Sequence, residues 1–168
     1  MGKDYLEKIV TRDKLLQVLS LVRKSGVKIV FTNGCFDIIH TGHVRYLNAA
    51  RLQGDLLIVG LNSDRSVKSI KGEKRPIFGQ GQRAEVLACL ECVDFIVVFD
   101  EPDPVRLIES LNPDVLVKGA DWAEEQVVGA DIVKANQGRV MRIPVVPDIS
   151  TTIIIDRIIS RYEKPENS

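Results

Sequence analysis

The chain of 168 residues has two histidines, and they stand three apart in Gly34-Cys35-Phe36-Asp37-Ile38-Ile39-His40-Thr41-Gly42-His43. The apolar run Ile29-Val30-Phe31 precedes this stretch, and Val44 to Leu52 follows it at helical spacing. The pattern is strand, turn, helix, with His40 just outside the helix and His43 in its first turn. A helix N-terminus offers unpaired N–H groups and the positive end of the macrodipole, so it favours an anion such as phosphate. Either imidazole can donate a hydrogen bond to a phosphate oxygen, neutral or protonated. One histidine near a helix start is ordinarily a cap or a solvated side chain. Both histidines of a chain gathered around one glycine call for another explanation. A zinc pair would need three or four ligands, and no Cys/His cluster supplies the rest. The stretch is neither GxGxxG nor a Walker A loop. It reads as a nucleotide-phosphate site.

Three further segments could join that chemistry. Lys71-Gly72-Glu73-Lys74-Arg75-Pro76-Ile77-Phe78-Gly79 holds three basic residues and two glycines in nine positions. It is either a solvated loop or, because ligands of open α/β sheets bind beyond strand C-termini, a phosphate-contacting one with Lys71 as the candidate. Ser150-Thr151-Thr152 opens the last helix with hydroxyls and free N–H groups suited to a cap or a phosphate. Lys118-Gly119-Ala120-Asp121-Trp122 follows an apolar run, and Trp122 reads equally as packing or as part of the site. Cys89 and Cys92 have no second pair and are expected to be small core residues.

The elements that must position these residues alternate. Residues 1–10 are expected to be a loose lead-in, followed by a helix from Thr11-Arg12-Asp13 with Leu15, Leu16, Leu19 and Val22 on one face. Strands are predicted at 28–32, 56–61, 93–99, 115–117 and 140–143. Between them, helices are predicted from the HTGH stretch to Gln53 with Gly54 as its stop, from Asn62-Ser63-Asp64 through Val67, over 80–90, from Pro102-Asp103-Pro104 to Leu111, and over 127–137. A final helix covers 153–162, and 163–168 reads as a frayed tail. Strands alternating with helices, and no hairpin signals, predict an α/β class: a Rossmann-like, doubly wound, five-stranded parallel sheet in one domain. Residues 1–27 are then a helical lead-in and 28–162 the domain proper. Right-handed crossovers bring the strand C-termini to one edge, so the separate segments can converge there.

Composition narrows the partners. Apolar residues make 45% and charged residues 27%, an ordinary soluble balance. Twenty-three basic residues match twenty-three acidic ones, so no overall field recruits nucleic acid or an anionic membrane. Three cysteines suit a reducing compartment. No apolar run approaches the ~20 residues of a membrane span, and MGKDYLEK lacks a signal-peptide core, so a cytoplasmic protein is expected.

HTGH resembles the HxGH signature of the nucleotidyltransferase superfamily, which class I aminoacyl-tRNA synthetases share as HIGH. GCFDIIHTGH is similar to the cytidylyltransferase-type GxFDxxHxGH, and Ile149-Ser150-Thr151-Thr152 resembles the ISTT or ISST element that closes such domains. The runs TNGCFDIIHTGHVRYL, GLNSDRSV, KGEKRPI, LVKGADW and ISTT, spread over 32–152, look most like the adenylyltransferases of bacterial ADP-heptose synthesis. The synthetase KMSKS element and a tRNA-binding extension are missing, which sets that branch aside.

The resemblance implies transfer of AMP from ATP to a sugar 1-phosphate, here D-glycero-β-D-manno-heptose 1-phosphate, with Mg²⁺ riding on the triphosphate and no protein metal ligands. It implies His40, His43 and Lys71 as catalytic groups. Gly34, Cys35, Phe36, Gly42, Lys118, Gly119, Asp121, Ile149, Ser150, Thr151 and Thr152 would hold the nucleotide. Asp37, Arg75 and Arg83 would contact substrate, Arg75 through bidentate phosphate binding and Arg83 near the bound phosphates. With no room for a sugar-kinase domain, the chain would be a stand-alone enzyme able to form a homo-oligomer. Glycerol-phosphate and ethanolamine-phosphate cytidylyltransferases share both signatures, so a CTP-dependent enzyme acting on a small phosphorylated alcohol is the alternative.

Overall fold

The computed structural model describes residues 4–120, 123 and 126–163. Five parallel strands lie in the order β3-β2-β1-β4-β5: β1 Ile29–Gly34, β2 Leu56–Asn62, β3 Phe95–Phe99, β4 Val115–Gly119 and β5 Arg139–Ile143. Interleaved are α1 Arg12–Val22, α2 Thr41–Arg51, α3 Asp64–Lys71, α4 Gln80–Ala88, α5 Val105–Leu111, α6 Ala130–Ala135 and α7 Thr151–Tyr162.

Alternation along the strands divides the core into two layers. Val30 of β1 and Leu57, Val59 and Leu61 of β2 join Leu47 of α2 and Leu87 of α4 in one cluster. Ile29, Phe31 and Ile58 join Leu15 and Leu19 of α1, Ile108 of α5 and Val133 of α6 in the other. Cover on both faces is why β1 and β2 read as near-continuous apolar runs. Gly60 sits between Phe31 and Asn33, where an added Cβ would lie 2.8 Å from the Phe31 ring, so this strand position needs glycine for close approach.

Three carboxylates pin the sheet at its N-terminal edge. Lys28 N–H donates to Asp55, Ile29 N–H to Asp114 and Leu57 N–H to Asp94, each at 2.7 Å. These donors start strands whose neighbours begin further along, so an acidic side chain completes the ladder. The opposite edge is left open for the loops that carry chemistry.

The chain departs from several sequence expectations. The lead-in is not loose: Tyr5–Lys8 form a 3-10 turn capped by Asp4. Its Tyr5 hydroxyl donates to Glu85 at 2.8 Å, and Val10 N–H donates to Ile96 O at 3.0 Å on the β3 edge. The helix expected to stop near Val67 continues to Lys71, because the Ser63 hydroxyl caps it and Gly72, at φ 91°, ends it. Conversely, the helix expected over 127–137 is only α6, with left-handed Gly129 at its start. Gly54 does not terminate α2 through a positive φ; its hydrogen leaves room for Val30 and the Lys28 carbonyl, 2.7 and 2.9 Å from an added Cβ. Cys89 is exposed at the end of α4 rather than in the core, and Cys92 is half-buried. Residues 164–168 of the expected tail lie outside the described residues.

Candidate active site

The C-terminal ends of β1 and β4, the starts of α2 and α7, and the end of α3 surround a cavity of about 620 Å³. β1 delivers Asn33 and Gly34 to its rim, and the turn that follows places Phe36 in the left-handed region at φ 43°. That turn folds the Phe36 ring back over Gly34, where an added Cβ would lie 3.1 Å from the ring. Phe36 then meets His43 edge-on, with ring centroids 5.3 Å apart.

His40 is the N-cap residue of α2, yet its side chain makes no capping bond. Its imidazole instead stacks on that of His43, centroids 3.8 Å apart and planes 21° from parallel. Gly42 makes this stack possible: a Cβ there would stand 2.9 Å from His40 Nδ1 and 3.3 Å from the Ile149 side chain. Burial, then the neighbouring His40, push the His43 pKa down to about 4, although the Ile38 carbonyl acts the other way. Burial also lowers His40. Both rings are therefore neutral at neutral pH. Nδ1 of both rings is buried without a hydrogen-bond partner in the protein. A neutral imidazole can meet an oxyanion by donation without carrying charge.

Opposite the histidines, α7 points its N-terminus at the cavity, and Ile149, Ser150, Thr151 and Thr152 all line it. The Ser150 hydroxyl accepts from Ile153 N–H at 3.1 Å, so it caps α7 while its own proton remains available. Lys71 closes the wall at the end of α3. Burial raises the Cys35 thiol against the pull of Lys71, Arg83 and Arg75. Lys118 and Gly119 line the cavity from the end of β4, and Lys118 Nζ donates to Asn33 Oδ1. Asp121 and Trp122 lie outside the described residues.

A sequence model described as cytidylyltransferase-like matches residues 31–157, the span from β1 to α7 that builds this cavity. The chain belongs to the cytidylyltransferase-like family. A bifunctional protein HldE from Syntrophotalea carbinolica is 52% identical over 161 residues, 96% of this chain and 33% of that protein. The HldE of Geobacter metallireducens is 52% identical over 155 residues, 92% of this chain and 32% of its own length. The chain thus spans about a third of the length of these curated relatives. A crystal structure of a lipopolysaccharide core biosynthesis protein from Thermoplasma volcanium superposes with a TM-score of 0.62 at 26% identity, over 72% of this chain and 99% of that one.

Two expected substrate contacts have other partners in this cytidylyltransferase-like domain. Arg83 is fully buried and does not reach the cavity. Its guanidinium donates to Phe78 O at 3.0 Å, Cys35 O at 2.5 Å, Asn62 O at 2.8 Å and Asp64 Oδ1 at 2.8 Å. It therefore ties the β1–α2 turn to the end of β2, the start of α3 and the 72–79 loop. The resemblance to a family segment with an arginine near bound phosphates gave no sign of the four oxygens that surround Arg83. Asp37 is also sealed, its side chain wholly inaccessible and occupied by the 75–78 segment.

Tyr46 is a lining residue that sequence reading missed. Its hydroxyl lies 2.7 Å from Thr32 Oγ1 and donates to Val117 O at 3.1 Å, bridging α2 to β1 and β4. The spacing of three from His43 on one helix was the available signal.

If Gly42 exists to admit the histidine stack, Gly42→Ala displaces His40. The expected outcome is a loss of about 10²-fold or more in kcat with a small change in thermal midpoint, as for removal of one preorganised donor. Steady-state kinetics beside a melting curve check it. An alanine enzyme that keeps wild-type kcat contradicts the reading.

Proposed function

We propose that this chain transfers AMP from ATP to D-glycero-β-D-manno-heptose 1-phosphate, giving ADP-heptose and pyrophosphate. The observation that carries the reaction class is the neutral His40–His43 stack facing the cavity that the α7 N-terminus also lines. The heptose acceptor is supported by relatives named HldE at about half identity over nearly the whole chain. The likeness to a lipopolysaccharide core biosynthesis protein points the same way.

In this reading an oxygen of the acceptor phosphate attacks the α-phosphorus of ATP. The bond from that phosphorus to the α,β-bridging oxygen breaks, and its electron pair leaves on pyrophosphate. The acceptor is already an anion, so no general base is required. His40 and His43 donate to α- and β-phosphate oxygens, Lys71 offsets charge on the leaving pyrophosphate, and Ser150 to Thr152 hold the terminal phosphates. The work is alignment and preorganised donation.

Among the described residues no group of three or more His, Cys, Asp or Glu could hold a metal ion. Of the two described carboxylates that line the cavity, Asp37 and Asp103, Asp37 is already bound to Arg75 and two amides. Mg²⁺ is accordingly proposed to arrive on the triphosphate, with its own waters and no dedicated protein cage. No helix among the described residues is long and apolar enough to cross a membrane. We place the enzyme in the cytoplasm, acting on small phosphorylated substrates and not on nucleic acid, and forming a homo-oligomer.

Pyrophosphate release tests the assignment directly, with ATP or CTP, Mg²⁺ and a panel of phosphorylated acceptors. ATP with heptose 1-phosphate should be the preferred pair. Preference for CTP with glycerol 3-phosphate would replace it by the cytidylyltransferase alternative.

For His43→Ala, kcat and kcat/KM should fall together by about 10²–10³, with KM for ATP little changed, because the donation strengthens in the transition state. His43→Asn should recover part of the loss. Full activity in folded His43→Ala would end the assignment of this histidine as catalytic.

A further inference from the structure

Asp37 presents an unusual balance for a carboxylate beside an anion-binding cavity. Its side chain is wholly inaccessible, and three N–H groups of one loop donate to it. Arg75 Nε donates to Oδ2 at 2.6 Å, Ile77 N–H reaches both oxygens at 2.9 Å, and Phe78 N–H donates to Oδ1 at 3.0 Å. Burial alone would raise this carboxyl, but the two amides and Arg75 outweigh it and hold it below the usual carboxylate range. The negative charge is thereby withheld from the cavity and spent on orienting one guanidinium.

Arg75 is the consequence. Its side chain is 16% exposed and lines the cavity, with Nε committed to Asp37. A guanidinium is planar, so fixing Nε on a buried carboxylate fixes the plane and leaves the two terminal nitrogens as a fork for an oxyanion. Lys71, another cation that lines the cavity, can act only as a point charge. The two cations are thus suited to different phosphates, a geometric one and a diffuse one.

We propose that Asp37 is a positioning residue that holds Arg75 as the bidentate receptor for the phosphate of the acceptor substrate. This rests on the phosphorylated-acceptor reaction above and deepens it. Asp37 never meets substrate; it acts through Arg75, and through Ile77 and Phe78 it keeps the loop that carries Arg75 against the β1–α2 turn.

Asp37→Asn separates the roles. The asparagine oxygen can still accept from Ile77 and Phe78, whereas its NH₂ faces the Arg75 Nε–H, donor against donor. KM for the acceptor should rise about 10- to 100-fold, the cost of one charge-assisted bond, while KM for ATP and kcat at saturating acceptor stay within about threefold. Arg75→Lys should show the same acceptor defect, and it serves as the test if Asp37→Asn does not fold. Adding Asp37→Asn to Arg75→Ala should raise acceptor KM no further, because the first acts only through the second.

A folded Asp37→Asn or Arg75→Lys enzyme with unchanged acceptor KM overturns the proposal, as do independent, multiplicative effects in the double variant. The comparison uses whichever phosphorylated acceptor the wild-type enzyme turns over. Turnover of a different acceptor therefore corrects the reaction assignment alone. A wild-type protein that turns over none overturns both.

Discussion

All five strands run the same way, and that single constraint organises the rest of the molecule. Parallel strands place every carboxyl end on one edge, and the order β3-β2-β1-β4-β5 makes the chain cross from one side of β1 to the other after β3. At such a reversal the flanking loops diverge and leave a crevice, here between β1 and β4. His40 and His43 come from the loop and helix after β1, and Lys118 from the end of β4. The α7 N-terminus arrives from beyond β5. The aspartates that close the ladder all sit at the other edge, so the fold's acidic fasteners and its cavity are kept apart.

Within the crevice the charge pattern is selective although the whole chain is neutral. The histidines are held uncharged by burial, the cations Lys71 and Arg75 stand at the wall, and Asp37 is neutralised by Arg75 and main-chain amides. Arg83 performs a structural counterpart, gathering three carbonyls and Asp64 behind the site. Two arginines only eight positions apart in sequence thus divide into one that faces ligand space and one that braces it. A guanidinium suits both tasks, since its five donors can satisfy oxygens from several directions.

What the sequence disclosed followed from local physics. Apolar runs of strand length, interrupted by amphipathic segments, carried the parallel five-stranded sheet. The glycine between two histidines carried their meeting at the cavity, because both side chains are set by one turn and one helix start. Convergence of Lys71, Gly119 and Ser150 to Thr152 on one cavity was also readable, since strand direction dictates it. The fates of Arg83 and Asp37 were not. Each is decided by oxygens or amides far away in sequence, such as Asn62 and Phe78, which no periodicity announces. The lead-in escaped for a similar reason: Val10 is ordered by one bond to the β3 edge, a partner that local propensity cannot name. Helix ends moved where a capping hydroxyl or a positive-φ glycine outweighed the apolar repeat, as at Ser63 and Gly72.

Because His40 and His43 are the chain's two histidines, nitrogen-15 labelling of histidine alone reports on the site without interference. Titrating the labelled protein with Mg²⁺ and α,β-methylene ATP, which places the phosphates but resists transfer, measures whether the imidazoles meet the triphosphate. Both ring spectra should shift at saturation, and adenosine, which lacks phosphates, should leave them in place. Saturable binding of the analogue with both histidine spectra unmoved would contradict the placement of the phosphates at this stack.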